Sequence, residues 1–180
     1  MREKLSMQAL GRMSAEQYKS ASKTPLTVVL DNVRSMNNVG SAFRSSDAFR
    51  VEKIMLCGIT PTPPHREINK TALGATDTVP WDYCNDTLQA VQRLKAQGYL
   101  VYAVEQTKDS IKLQDFTLAN QSPIAIIFGN EVDGVDQKVI DICHGVIEIE
   151  QWGTKHSLNI AVTCGIVLFE LFQRLRNSIK

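Results

Sequence analysis

Tight cysteine and histidine pairs are missing from this 180-residue chain. Cys57, Cys84, Cys143 and Cys164 form no CxxC, and His65, His144 and His156 form no HxxxH. A zinc site needs such pairs, so no metal chemistry is expected, and the thiols read as buried structural side chains. Ten glycines and six prolines are too few for collagen-like or mucin-like chains. No apolar run approaches the roughly 20 residues that cross a bilayer. The start, Met1-Arg2-Glu3-Lys4-Leu5-Ser6, lacks the apolar core of a signal peptide. A soluble, cytoplasmic protein away from membranes is the expectation. Three further signatures are absent: the dinucleotide fingerprint GxGxxG, the phosphate loop GxxxxGKS/T and the hydrolase elbow GxSxG.

What is present is ordinary globular composition, 43% hydrophobic and 22% charged, which excludes disorder for the chain as a whole. The net charge of +1 hides an uneven distribution. Residues 1–23 carry Arg2, Lys4, Arg12, Lys19 and Lys23 against Glu3 and Glu16, a net +3. Residues 131–150 carry six acidic side chains against Lys138 alone, a net −5. A basic N-terminal extension can attract phosphates, and it can equally be a solvated helical face.

Short apolar runs alternate with helical patterns. Leu26–Leu30, Val51–Cys57, Tyr99–Val104, Pro123–Phe128 and Gly145–Ile149 read as strands, and Thr78–Trp81 as a short extended piece. Helices are expected from Asn38 to Phe49, over a turn or two at Ile68–Leu73, and from Thr87 to Gln97. Shorter helical pieces fall within 1–22, capped at Ser14, and after Gly134. A last long helix runs from a Ser157 cap to about Asn177. This alternation predicts an α/β fold whose largely parallel sheet carries helices on both faces. Residues 1–23 form an extension, and 24–180 one domain.

In such folds ligands bind beyond the carboxyl ends of strands. Three polar loops stand there: Asn37-Asn38-Val39-Gly40-Ser41-Ala42-Phe43-Arg44, Phe128-Gly129-Asn130-Glu131-Val132-Asp133-Gly134, and Glu150-Gln151-Trp152-Gly153 through Ser157-Leu158-Asn159. Taken singly, Arg44 could be a surface salt-bridge residue, the second loop a turn, and Ser157 and Asn159 helix-start residues. Together, in the order NNVGxxxR, FGNExxG and IEIExxGxxxSLNIAVxxGI, they resemble the three motifs of the SpoU (TrmH-type) RNA ribose methyltransferases of the SPOUT superfamily.

The resemblance covers residues 26–176. It implies a C-terminal deep trefoil knot and S-adenosylmethionine bound within it. It also implies a homodimer with the site near its interface, and methyl transfer to a ribose 2′-hydroxyl of RNA. tRNA is the first expected substrate and rRNA the second, with an inactive RNA-binding protein of the same fold as the alternative. Residue by residue, Asn38, Arg44, Glu131, Ser157 and Asn159 match the catalytic motif positions. Phe128, Gly129, Asn130, Ile149, Trp152, Gly153, Ser157 and Leu158 match the cofactor pocket. Trp152 departs from the smaller or aliphatic residue many members carry. RNA grip is expected from residues 1–23, His65-Arg66, Arg174, Arg176 and Lys180.

Overall fold

The computed structural model describes residues 2–6, 9–118 and 122–176. Lys180 and the expected helix end at Asn177 lie outside the described residues. In chain order the elements are α1 (Ala15–Ser20), β1 (Thr24–Asp31), α2 (Met36–Ala48), β2 (Val51–Cys57), α3 (Arg66–Ala72), α4 (Ala75–Thr78) and β3 (Trp81–Cys84). There follow α5 (Thr87–Ala96), β4 (Leu100–Val104), β5 (Ile111–Lys112), β6 (Ile124–Phe128), α6 (Gln137–Asp141), β7 (Gly145–Glu148) and α7 (Ile160–Leu175). The seven strands form one sheet in the order β3-β2-β1-β6-β4-β7-β5, and every pairing is parallel.

Successive side chains of a strand point to opposite faces, and here both faces are covered. Leu26, Val28 and Leu30 of β1 join Ile54, Leu56, Ile124, Ile126 and Phe128 under α2, α3 and α7. Val29, Met55, Cys57, Val101, Ala103, Ala125 and Ile127 face the other way, with Val91 and Leu94 of α5 and Val139 of α6. That two-sided burial is why the central strands read as unbroken apolar runs. Each large side chain taken from water contributes about 1.5–3 kcal/mol. Burial pushes the Cys57 and Cys164 thiols up to about 12, which keeps both protonated and inert.

Several boundaries differ from the sequence expectation. Thr78 closes the short helix α4, and the strand at this edge is Trp81–Cys84. α2 is capped by Ser35, whose Oγ accepts from the Asn38 N–H at 3.3 Å, so Asn38 lies inside the first turn. α7 is capped by Asn159 and not by Ser157: the Asn159 Oδ1 accepts from the Ala161 N–H at 2.8 Å. β5 has only two residues. Within the N-terminal extension, α1 begins at Ser14, whose capping box with Gln17 is complete. The buried Tyr18 of α1 packs into the main core, so this part of the extension is docked on the body. Among the described residues no helix is long and apolar enough to cross a membrane.

Candidate functional site

β1, β6, β4 and β7 end side by side at one edge of the sheet, and the loops leaving β4, β6 and β7 enclose a cavity of about 630 Å3. Its lining includes Val104, Glu105 and Gln106, then Phe128 through Gly134, then Glu148, Ile149, Gln151 and His156 through Ile160. Four acidic residues, Glu105, Glu131, Asp133 and Glu148, are part of the lining, together with the apolar Phe128, Ile149, Leu158 and Ile160. The lining therefore combines acidic and apolar residues.

The 129–135 turn forms because Asn130 satisfies its own loop. Its Oδ1 accepts from the Val132 N–H at 2.8 Å and the Asp133 N–H at 3.2 Å, and its backbone exchanges hydrogen bonds with Gly134. The Asn130 Nδ2 donates to the Asn32 carbonyl at 2.7 Å, which ties this turn to the end of β1. Gly129 has to be glycine here: a Cβ would stand 2.1 Å from the Gly134 carbonyl carbon and 2.2 Å from the Val135 nitrogen. Asp31, 2% exposed, accepts from Thr87 Oγ1, Asn32 Nδ2 and the Asp136 N–H, and so anchors the far side of the turn.

Glu131 closes the arrangement. One carboxylate oxygen accepts from the Arg34 N–H at 3.0 Å. The other accepts from the Ser35 N–H at 3.0 Å and the Asn38 Nδ2 at 2.9 Å. Burial pushes this carboxyl up, but the donors from Arg34, Asn38 and Ser35 together outweigh it and hold the carboxyl below the usual range. Asn38 in turn accepts from the Asn159 Nδ2 at 3.2 Å. A continuous hydrogen-bonded path thus joins the starts of α2 and α7 through Asn38 to the loop after β6.

The structure brings together Asn38, Glu131 and Asn159, and places Phe128, Gly129, Asn130, Ile149, Ser157 and Leu158 around the same cavity. Four expected site residues are not in its lining: Asn38, which is bonded to Glu131 and Asn159 of the lining, and three that stand apart from it. Arg44 is exposed on α2, and neither it nor the pair Trp152-Gly153 lines the cavity. Trp152 is 90% exposed. Within one chain, then, the Arg44 guanidinium is not at the pocket. Of the expected RNA-gripping cations, Arg174 is committed inside the fold. It pairs with Glu170 at 2.6 Å and donates to the Leu113, Gln114 and Phe116 carbonyls. Lys23 donates to the Ala21 carbonyl at 2.8 Å and lies over the Tyr18 ring. Sequence reasoning missed Glu105 and Gln106, which carry no motif and reach the site only because β4 lies between β6 and β7.

This geometry has relatives. The model of the SpoU rRNA Methylase family matches residues 25–169. The 23S rRNA (guanosine-2′-O-)-methyltransferase RlmB of Vibrio parahaemolyticus is 32% identical over 150 residues, which are 82% of this chain and 59% of that protein. The tRNA (guanosine(18)-2′-O)-methyltransferase of Thermus thermophilus is 32% identical over 146 residues, 81% of this chain and 73% of that one. Among solved structures, the A. aeolicus TrmH/SpoU tRNA modifying enzyme shares the fold at a TM-score of 0.80 and 22% identity, over 91% of this chain and 82% of that one. The AdoMet-bound rRNA methyltransferase of Sinorhizobium meliloti superposes with a TM-score of 0.78 at 26% identity, over 91% of this chain and 62% of that one. The chain spans about three fifths of the length of the RlmB relatives it matches, as the 59% for the Vibrio protein illustrates. With a family match over residues 25–169 and these motif residues gathered at one cavity, the chain belongs to the SpoU rRNA methylase family.

Proposed function

We propose that this protein is an S-adenosylmethionine-dependent methyltransferase acting on a ribose 2′-hydroxyl of RNA, in the cytoplasm. The observation that carries the reading is the Glu131–Asn38–Asn159 path, whose two ends line the cavity, built from the residues that the family motifs share. The lining suits the ligand. The negative charge of its four acidic residues suits a ligand with a sulfonium and an ammonium group, and Phe128, Ile149, Leu158 and Ile160 suit an adenine ring. The volume of about 630 Å3 falls within the range of pockets that enclose such molecules.

S-adenosylmethionine supplies a methyl group open to in-line attack. The chain's own residues have three tasks. Gly129 and Asn130 fix the turn that floors the cavity, and Ile149, Ser157 and Leu158 line its opposite wall. Glu131 holds Asn38, which holds Asn159 in the cavity lining, where a ribose can be oriented and alignment supplies much of the rate. Arg44 clamps the RNA phosphate beside the reacting hydroxyl and favours its loss of a proton. A guanidinium with a pKa above about 12 acts better as this clamp than as the base.

The same reading includes a homodimer across α7. Val162, Ile166 and Phe169 of this helix are 51%, 39% and 50% exposed, an apolar stripe at helical spacing that needs a cover. A second copy there provides the setting in which Arg44 of α2, which packs beside α7, approaches a cavity. The knot that the family resemblance implies belongs to this reading too.

The relatives named above act on 23S rRNA and on tRNA, so both are substrates to test, tRNA first. Mass spectrometry of ribose-methylated nucleosides in tRNA and rRNA, from cells with and without this protein, decides. Loss of one 2′-O-methylated nucleoside from either pool is expected. Unchanged levels in both would rule the proposal out.

A further inference from the structure

β4 lies between β6 and β7 in the sheet, and the two walls of the cavity leave from those flanking strands. Glu105 and Gln106 follow β4 directly, so they stand between the walls. Glu105 holds the first wall. Its Oε1 accepts from the Val135 N–H at 3.1 Å and lies 2.1 Å from where a Cβ on Gly134 would stand. Its Oε2 accepts from the Gln106 N–H at 3.1 Å. Gln106 holds the second wall: its Nε2 donates to the His156 carbonyl at 2.8 Å.

That second wall is otherwise thinly supported. Every residue from Trp152 to Leu158 is exposed, and none enters the hydrophobic core. Trp152 interacts with Glu150, which ties the stretch only to its own base. Among the described residues, the Gln106 bond is what ties the 152–158 stretch to the loop after β4.

We propose that Gln106 is a positioning residue, which holds the 151–158 wall across the cavity and so sets how long S-adenosylmethionine stays bound. This rests on the reading that the cavity takes that ligand. The physical reason is a difference between two states. In the free protein the bond is exposed, and water replaces it at little cost to the fold. With a ligand enclosed, the same bond closes the wall against it, and losing the bond opens an exit. Gln106 makes no hydrogen bond to Asn38, Glu131 or Asn159, so its action on the ligand runs through the wall it holds.

The test is a chase of labelled S-adenosylmethionine from the full chain, run with wild type, Gln106→Ala and Gln106→Glu. Neither substitution leaves a donor for the His156 carbonyl. Dissociation is expected to quicken about fivefold in both variants, the worth of one ordinary hydrogen bond. KM for the ligand should rise to match, by more than kcat at saturation falls, with the melting temperature of the ligand-free protein unchanged. Dissociation at the wild-type rate in both variants overturns the proposal. So does a quickening matched by loss of thermal stability without ligand, since Gln106 would then merely hold the fold. No binding to wild type removes the underlying reading, and this proposal with it.

Discussion

Asn38 and Asn159, 121 residues apart in the chain, share a hydrogen bond of 3.2 Å between their side-chain amides. Asn159 is at once the N-cap of α7 and the neighbour of the residue that grips Glu131. One side chain therefore caps a helix and lines the cavity.

These two tasks separate by substitution. Asn159→Asp keeps an oxygen for the Ala161 N–H but has no donor for Asn38. Stability should stay within about 0.5 kcal/mol of wild type in urea unfolding, while methyl transfer falls at least tenfold. Asn159→Ala should lose about 1 kcal/mol as well, the usual worth of a cap. Equal activity in the aspartate variant and wild type would show that the Asn38 contact has no part in the reaction.

The chain's order of strands and helices, and its three polar loops, were legible because rare residue types follow apolar runs there. Local cap competition was less so. Ser157 looked like the start of α7, yet Asn159 has the oxygen that reaches the Ala161 N–H, and Ser35 in place of Asn38 caps α2. β5 is too short to show a period. The parts of the site that came from strand order were invisible. Val104-Glu105-Gln106 matches no motif, and only the insertion of β4 between β6 and β7 brings it to the cavity. Arg174 looked free to meet RNA, and only the folded structure shows Glu170 and the 113–116 carbonyls consuming its donors.

Glu131 should make stability depend on pH in a predictable direction. Its carboxyl is held below the ordinary value of 4.5, so its contribution is complete above that value in the folded protein. As pH falls below about 4.5, the contribution declines, and it is gone once pH passes the lower folded value. The melting temperature of wild type minus that of Glu131→Gln should hold steady from about pH 7 to 5 and shrink below it. A difference that grew on acidification would contradict the hydrogen bonding described here.

Gly40 lies where α2 meets α3. A Cβ there would stand 2.2 Å from the Ile68 carbonyl oxygen, 2.2 Å from Thr71 Oγ1 and 3.0 Å from the Ala72 nitrogen. Two of these atoms are backbone and cannot swing away. Gly40→Ala should cost about 1–3 kcal/mol, as other overpacked sites do. Thermal unfolding measures it, and a variant as stable as wild type would mean that α3 shifts freely.

The apolar stripe of α7 tests the proposed dimer. Ile166→Glu places a charge on a half-covered side chain, at little cost to a monomer, and in the middle of a dimer interface it should split the pair. Light scattering should report a dimer for wild type and a monomer for the variant, with methyl transfer falling in step. A wild-type monomer at working concentration would reject the dimer.

The most direct measurement combines the reaction with the residue that stands outside the cavity. Purified wild type, Arg44→Ala and Arg44→Lys are each given methyl-labelled S-adenosylmethionine with unmodified tRNA and 23S rRNA. The nucleosides are then resolved by mass spectrometry, and ligand affinity is measured by calorimetry. The account predicts a 2′-O-methylated nucleoside from wild type in one of the two RNAs. It predicts none from the alanine variant and little from lysine, which lacks the planar fork, with ligand affinity unchanged in all three. Label on a base in place of the ribose, or no label in either RNA from a wild type that binds the ligand, would contradict it.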